Sequence, residues 1–346
     1  MRHQNLCFVL AIFLGMPMTV AHAVPPGFVA DHYGRPQTLV AIRKERRLNM
    51  ACIGAGRPTV IFLSGLGSGT FDWRKVQPAI GKITRACAYD RAGYGFSDPT
   101  TEPADVDNGV SDLHALLHAS GVTTPVILVG HSLGGLYATV YAQQYPNDIA
   151  GIVLVDPAFA GQARAIANAV GPQATAKMAA SDVQTLAALD RCISLAETGR
   201  LALPAEAKSD CLDNPADPDP DVHRERDREA KTAGFERAIR SEVQAADIVG
   251  SDGQTIDDRE STVRGGGLGA IPLVVLTRGN HSDLPGLSAE EDAKADAAWK
   301  EGHDHLAALS TNGTNTVVPQ SGHFIQLDQP GAVIAAIERV IASARR

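Results

Sequence analysis

The stretch Val126-Ile127-Leu128-Val129-Gly130-His131-Ser132-Leu133-Gly134-Gly135 decides how this 346-residue chain is read. Four consecutive apolar residues, three of them β-branched, predict a strand buried on both faces, as in parallel sheets. Residues 133–145 then predict a helix that Pro146 stops. Between the two, Gly130-His131-Ser132-Leu133-Gly134 has the spacing of a sharp strand-to-helix turn, which lifts a serine hydroxyl clear of the sheet. Side chains at 130 and 134 would collide across so tight a turn, and the helix N-terminus that begins there favours developing negative charge. A five-residue pattern alone is weak. Set between a buried strand and an apolar helix, it marks Ser132 as a nucleophile.

Working outward, the same alternation recurs. Residues 48–53, 59–63, 86–89 and 152–155 predict short strands, and residues 110–120 a helix with Val110, Leu113 and Leu117 on one face. The second of these strands runs into Ser64-Gly65-Leu66-Gly67-Ser68-Gly69, the third into Asp90-Arg91-Ala92-Gly93-Tyr94-Gly95. Strands alternating with helices predict a mostly parallel sheet covered on both faces. The alternation stops after Asp156 and resumes with a strand at 271–276, a helix at 289–310, a strand at 316–319 and a last helix at 332–344. Residues 159–268 between them are alanine-rich and helix-prone, with a solvated polar stretch at 213–228 and a linker-like Gly265-Gly266-Gly267. The expected organisation is an α/β core, 24–158 and 269–346, interrupted by a helical insertion at 159–268.

A serine nucleophile needs a base and an acid that orients it. The base is expected at His323, in Ser321-Gly322-His323-Phe324 after the last predicted strand, in the chain order Ser, acid, His. His131 adjoins the serine in sequence and is expected to point elsewhere. His114 and His118 are spaced as a metal pair on a helix but are equally a solvated face, and His303 and His305 lack the further ligands of a zinc site. Two acids compete. Asp156 ends one strand and Asp283 follows the next, and carboxyl ends of strands are where sites in open α/β sheets form. Asp156 is the first candidate and Asp283 the alternative. The oxyanion of an acyl transfer requires N–H donors, expected from the backbone of Leu133 and of Leu66 in the glycine-rich loop. No Lys-Ser/Thr follows that loop and no dinucleotide spacing surrounds it, so no cofactor and no metal are expected.

Composition bounds the rest. Lys+Arg 31 against Asp+Glu 39 gives a net charge of −8, which argues against nucleic acid as a partner, and 44% hydrophobic residues argue against disorder. Residues 1–23 read as a signal peptide: Arg2, an apolar run at 6–16, then Ala21-His22-Ala23. The run is short for a membrane span and broken by Gly15 and Pro17, and Cys7 lies inside it, so no lasting membrane or lipid anchor is expected. The mature protein is expected to be exported, periplasmic or secreted. Cys52, Cys87, Cys192 and Cys211 survive cleavage, and an even count in an exported chain predicts two disulfides from three possible pairings.

Together, Ser64-Gly65-Leu66-Gly67, Asp90-Arg91-Ala92-Gly93-Tyr94-Gly95-Phe96-Ser97, the Ser132 turn and Ser321-Gly322-His323 resemble the α/β-hydrolase superfamily, in its lipase, esterase and haloperoxidase-like branch. The resemblance covers residues 48–158 and 270–342. It implies an eight-stranded, mostly parallel sheet with a helical cap between strands six and seven, Ser132 as nucleophile, His323 as base, and Leu66 and Leu133 as oxyanion donors. Strands two and four are neighbours in that family, which implies Cys52–Cys87 across the sheet and leaves Cys192–Cys211 to staple the cap. This chain has Ser64-Gly65 where the family usually has His-Gly. The family's acid usually follows strand seven, where Gly279 to Asp283 is one residue longer than the common turn. Pancreatic-type lipases place it after strand six, within an Asp-Pro-Ala similar to Asp156-Pro157-Ala158. The expected activity is hydrolysis of a small-molecule carboxylic ester. Amide or carbon–carbon bond cleavage by the same residues, or a non-catalytic binding protein on the same fold, are the alternatives.

Overall fold

A computed structural model of the chain describes residues 28–43, 46–202, 211, 219–262, 266–281, 284 and 286–346. The leader at residues 1–23, Gly265 and the alternative acid Asp283 lie outside the described residues. Eight strands form one sheet: β1 Thr38–Ala41, β2 Arg47–Ile53, β3 Val60–Leu63, β4 Ala86–Tyr89, β5 Val126–His131, β6 Ile149–Val155, β7 Leu273–Arg278 and β8 Gly313–Val318. Their order is β1-β2-β4-β3-β5-β6-β7-β8. β1 and β2 run antiparallel to each other and β2 antiparallel to β4, and every pairing from β4 to β8 is parallel. The first strand escapes a reading of the sequence because it is only four residues long, with three of the four exposed and no alternation of apolar and polar residues.

The sheet sorts its side chains by alternation. Ile61, Leu63 and Leu128 face one core, with Leu113 and Leu116 of α3 (Val106–Ala119) and Tyr137 and Tyr141 of α4 (Leu133–Gln144). Val60, Phe62, Ile127 and Val129 face the other, with Ile80 of α2 (Gln77–Ile80) and Ile337 and Val340 of α12 (Pro330–Ala344). Helix α3 starts earlier than its apolar face predicts, because the Asp105 carboxylate caps it, accepting from the Asn108 N–H. A short α1, Phe28–His32, precedes the sheet.

Among the described residues, five helices stand between β6 and β7 and make the cap: α5 Gln162–Val170, α6 Pro172–Glu197, α7 Pro220–Ala230, α8 Ala233–Ala246 and α9 Ile256–Thr262. They are followed after β7 by α10, Ala289–Ala307, and after β8 by α11, Ile325–Asp328. Helix α6 buries only Ala174, Cys192 and Leu195 of its 26 residues. By contrast α8 buries Phe235, Glu236, Ala238, Glu242, Val243 and Ala245. Cys52 and Cys87 stand opposite each other in the β2–β4 register and are disulfide-bonded, and a second disulfide joins Cys192 of α6 to Cys211. No described helix is long and apolar enough to cross a membrane.

Candidate active site

β5 delivers the chain into α4 through Ser132, whose φ of 50° and ψ of −124° lie outside the regions a side chain ordinarily allows. Backbone bonds on both sides hold it there. Ser132 N–H donates to Val155 O at 3.2 Å, while Ser132 O accepts from Gly135 N at 2.8 Å and Ala158 N at 2.9 Å. A Cβ on Gly130 would sit 2.3 Å from Gly134 O, and one on Gly134 would sit 2.4 Å from Leu63 O. Both glycines are therefore dictated by the crossing of the backbone at the turn. Among the described residues, the non-glycine positions with positive φ are Ser132, Asp156 and Gln320, at the carboxyl ends of β5, β6 and β8. Such strain gathers where structure holds a site in place.

Asp156 and His323 meet. The His323 Nδ1–H donates to Asp156 Oδ2 at 2.6 Å, leaving Nε2 as the free ring nitrogen, since an ionised carboxylate only accepts. Asp156 is completely buried and also accepts from Arg278 N–H at 3.0 Å, Arg278 Nη1 at 2.9 Å and Trp299 Nε1 at 3.1 Å. Burial alone would raise its carboxyl. The hydrogen bond and charge of His323 and the Arg278 guanidinium outweigh burial and hold it well below the usual carboxylate range.

Ser132 is partly accessible, and its hydroxyl makes no hydrogen bond to a described residue. The glycine-rich loop lies against it: a Cβ on Gly65 would stand 3.0 Å from Ser132 Cβ and 2.9 Å from His131 Nδ1. Leu66 is half-buried, and its N–H has no partner among the described residues. Leu133 is the first residue of α4, where a helix leaves its N–H groups unpaired.

A family model described as the alpha/beta hydrolase family matches residues 60–337. The chain belongs to the alpha/beta hydrolase family. Among curated relatives, the uncharacterized protein YbdG of Bacillus subtilis is 31% identical over 113 residues, 32% of this chain and 35% of its own. Lipase LipV of Mycobacterium tuberculosis is 37% identical over 106 residues, 31% of this chain and 40% of its own. The chain thus spans less than half the length of these relatives. A candidate lipase, lip1, from Acinetobacter baumannii AYE superposes with a TM-score of 0.64 at 17% identity, over 92% of this chain and 95% of that one, a likeness of fold.

Several residues of this chain that were not expected in the site surround the Asp156–His323 pair. Arg278, the last residue of β7, bridges Asp156 and Asp296 at 2.9 and 2.6 Å and lies over the Trp299 ring. A charged residue ending an apolar strand was the available signal. His131, expected to point elsewhere, instead packs its ring 4.7 Å from that of His323 and donates Nε2–H to His323 O at 3.0 Å. Its proximity follows from the loop after β8 folding back over the turn. Burial first, then the neighbouring His323, pushes the His131 imidazole down to about 3, so it stays neutral. His303, completely buried, holds Pro157 O through Nε2 at 2.8 Å and pairs with Thr277 Oγ1 at 2.7 Å, steadying the turn that carries Asp156. His114, His118 and Asp148 bring possible ligand atoms within 4.8 Å of one another. They lie beside the far end of α4, about 18 Å from Ser132 by the rise of a 12-residue helix. His114 there contacts Tyr141 Oη at 3.2 Å.

Proposed function

We propose that this hydrolase cleaves a small-molecule carboxylic ester through an acyl-enzyme, with Ser132 as nucleophile, His323 as general base and Asp156 as the orienting acid. The observation that carries the reading is the Asp156–His323 hydrogen bond of 2.6 Å beside a strained strand-to-helix serine. With Nδ1–H committed to Asp156, His323 Nε2 accepts the Ser132 proton as Oγ attacks the ester carbonyl. The N–H groups of Leu66 and Leu133 receive the oxyanion, and the alcohol leaves with the proton from His323. Water then attacks the acyl-enzyme by the same path in reverse. A serine rather than an aspartate at the turn argues against epoxide opening and dehalogenation.

The substrate class draws support from the lipase among the relatives. The cap, residues 159–268 in this reading, selects the substrate, and residues 1–23 direct export. Two disulfides in the chain favour an oxidising compartment. Labelling with a fluorophosphonate, read by intact mass, tests the nucleophile without presuming a substrate. A single adduct on the wild-type protein and none on Ser132→Ala is expected. A folded wild-type protein that takes no adduct would overturn the reading.

A further inference from the structure

The loop Ser64-Gly65-Leu66-Gly67 is held from one side by a single buried guanidinium. Arg91, in the loop after β4, donates from Nη1 to Ser64 O at 2.5 Å and from Nη2 to Gly65 O at 2.8 Å. Both peptide groups are trans. A trans peptide directs its C=O and N–H to opposite sides. Gripping the Gly65 oxygen therefore sets the direction of the Leu66 N–H, which belongs to the same peptide plane. A cation on that oxygen also draws electron density from the amide and strengthens the N–H as a donor.

Arg91 is in turn oriented from the cap. Glu242 of α8, 1% exposed, accepts from Arg91 Nε at 2.7 Å and from Nη2 at 3.0 Å, a bidentate pair. The Tyr94 hydroxyl donates to the same carboxylate at 2.6 Å and accepts from Gly67 N–H at 3.3 Å, so the far end of the loop reaches Glu242 as well. The Arg91 guanidinium lies 5.0 Å from the Tyr94 ring centre and 5.6 Å from that of Tyr137. A lysine could not replace it, because the fork must serve two carbonyls and a carboxylate at once. Without Glu242 the guanidinium would be a buried cation with no anion, and it would leave the two carbonyls to reach water.

We infer that Glu242, acting through Arg91, is a positioning residue for the oxyanion loop, so that the Leu66 donor is in place only while the cap is seated on the sheet. This rests on the ester-hydrolase reading above. It makes a cap residue part of the apparatus that positions a transition-state donor.

The test compares the wild-type protein with Glu242→Gln, Arg91→Lys and Tyr94→Phe, each assayed below its own melting temperature on p-nitrophenyl acetate. Complete loss of an oxyanion donor costs about 10²–10³ in kcat. Misdirection of one donor is expected to lower kcat about tenfold in Glu242→Gln and more in Arg91→Lys, with KM changed less than about twofold. The inhibition constant of a boronic acid, which forms a tetrahedral adduct, should rise by the same factor as kcat falls. A residue that merely holds the fold would move the melting temperature and leave both unchanged. Should the two charged variants fail to fold, Tyr94→Phe keeps the Arg91–Glu242 pair, loosens only the Gly67 end, and is expected to lose about threefold. Wild-type kcat in every folded variant, with the fluorophosphonate adduct forming at the wild-type rate, overturns the positioning role alone. Absence of that adduct on the wild-type protein overturns the ester-hydrolase reading instead.

Discussion

Asp156 and Asp257 are both buried, at 0% and 2% exposure, and their carboxyls are driven in opposite directions. Asp156, at the end of β6, accepts hydrogen bonds from Arg278, Trp299 and His323 and has a guanidinium beside it. Asp257, in α9 of the cap, accepts from Val106 N–H at 2.9 Å through Oδ1, while Oδ2 finds no hydrogen-bond partner among the described residues. Burial first, with Glu260, Asp105 and Glu242 nearby, pushes Asp257 up to about 8 despite the Val106 bond. Depth alone therefore does not decide whether a carboxylate is ionised. The donors and charges around it do.

The largest effect that would break this comparison is at Asp156. Asp156→Asn is expected to lower kcat about 10³–10⁴-fold, because an amide cannot hold His323 in the tautomer that leaves Nε2 free. Steady-state kinetics on a simple ester would check it, and a loss under tenfold would remove Asp156 from the triad.

Next comes Arg278→Gln, which takes away one of the groups that keep Asp156 ionised. A carboxyl held low in the folded state contributes stability that is present above its unfolded value, near 4, and is lost as pH falls through its folded value. Weakening the hold on Asp156 should move the acid-unfolding midpoint upward by about one pH unit, measured by circular dichroism. An unchanged midpoint would show that His323 and burial alone set the behaviour of Asp156.

The smallest effect is at Asp257, and its sign is opposite. A carboxyl raised in the folded state lowers stability progressively as pH rises from its unfolded value near 4 to its folded value of about 8, and the penalty persists above that. Asp257→Asn removes the penalty. The melting temperature should rise on the order of 3 °C at pH 9, the size of about 1 kcal/mol in a domain this large, and stay unchanged at pH 4. The rate on p-nitrophenyl acetate at neutral pH should remain within about twofold of the wild type. A lower melting temperature at pH 9 would mean that the Asp257 carboxylate has a cation beside it after all.

Much of this was legible because the signals are local. The run at 126–129, the glycines at 130 and 134, and the strands at 59–63 and 86–89 each need only neighbours in sequence to be read, and each appears as an element close to the predicted bounds. β1 was not legible, since an exposed edge strand of four residues has no periodicity to show. The choice between Asp156 and Asp283 was not legible either. Both follow a strand, and only the folding of the loop after β8 back toward β6 brings His323 to Asp156, across 167 positions of sequence.

By itself, then, the sequence determined a mostly parallel α/β sheet with a helical insertion and a serine on a strained turn, because strand alternation and turn chemistry are properties of adjacent residues. Tertiary structure alone decided which acid His323 meets, that His131 packs against it, and that Glu242 in the cap reaches Arg91. Those contacts join polar groups from separate elements, and no spacing along the chain encodes which of them will share one buried volume.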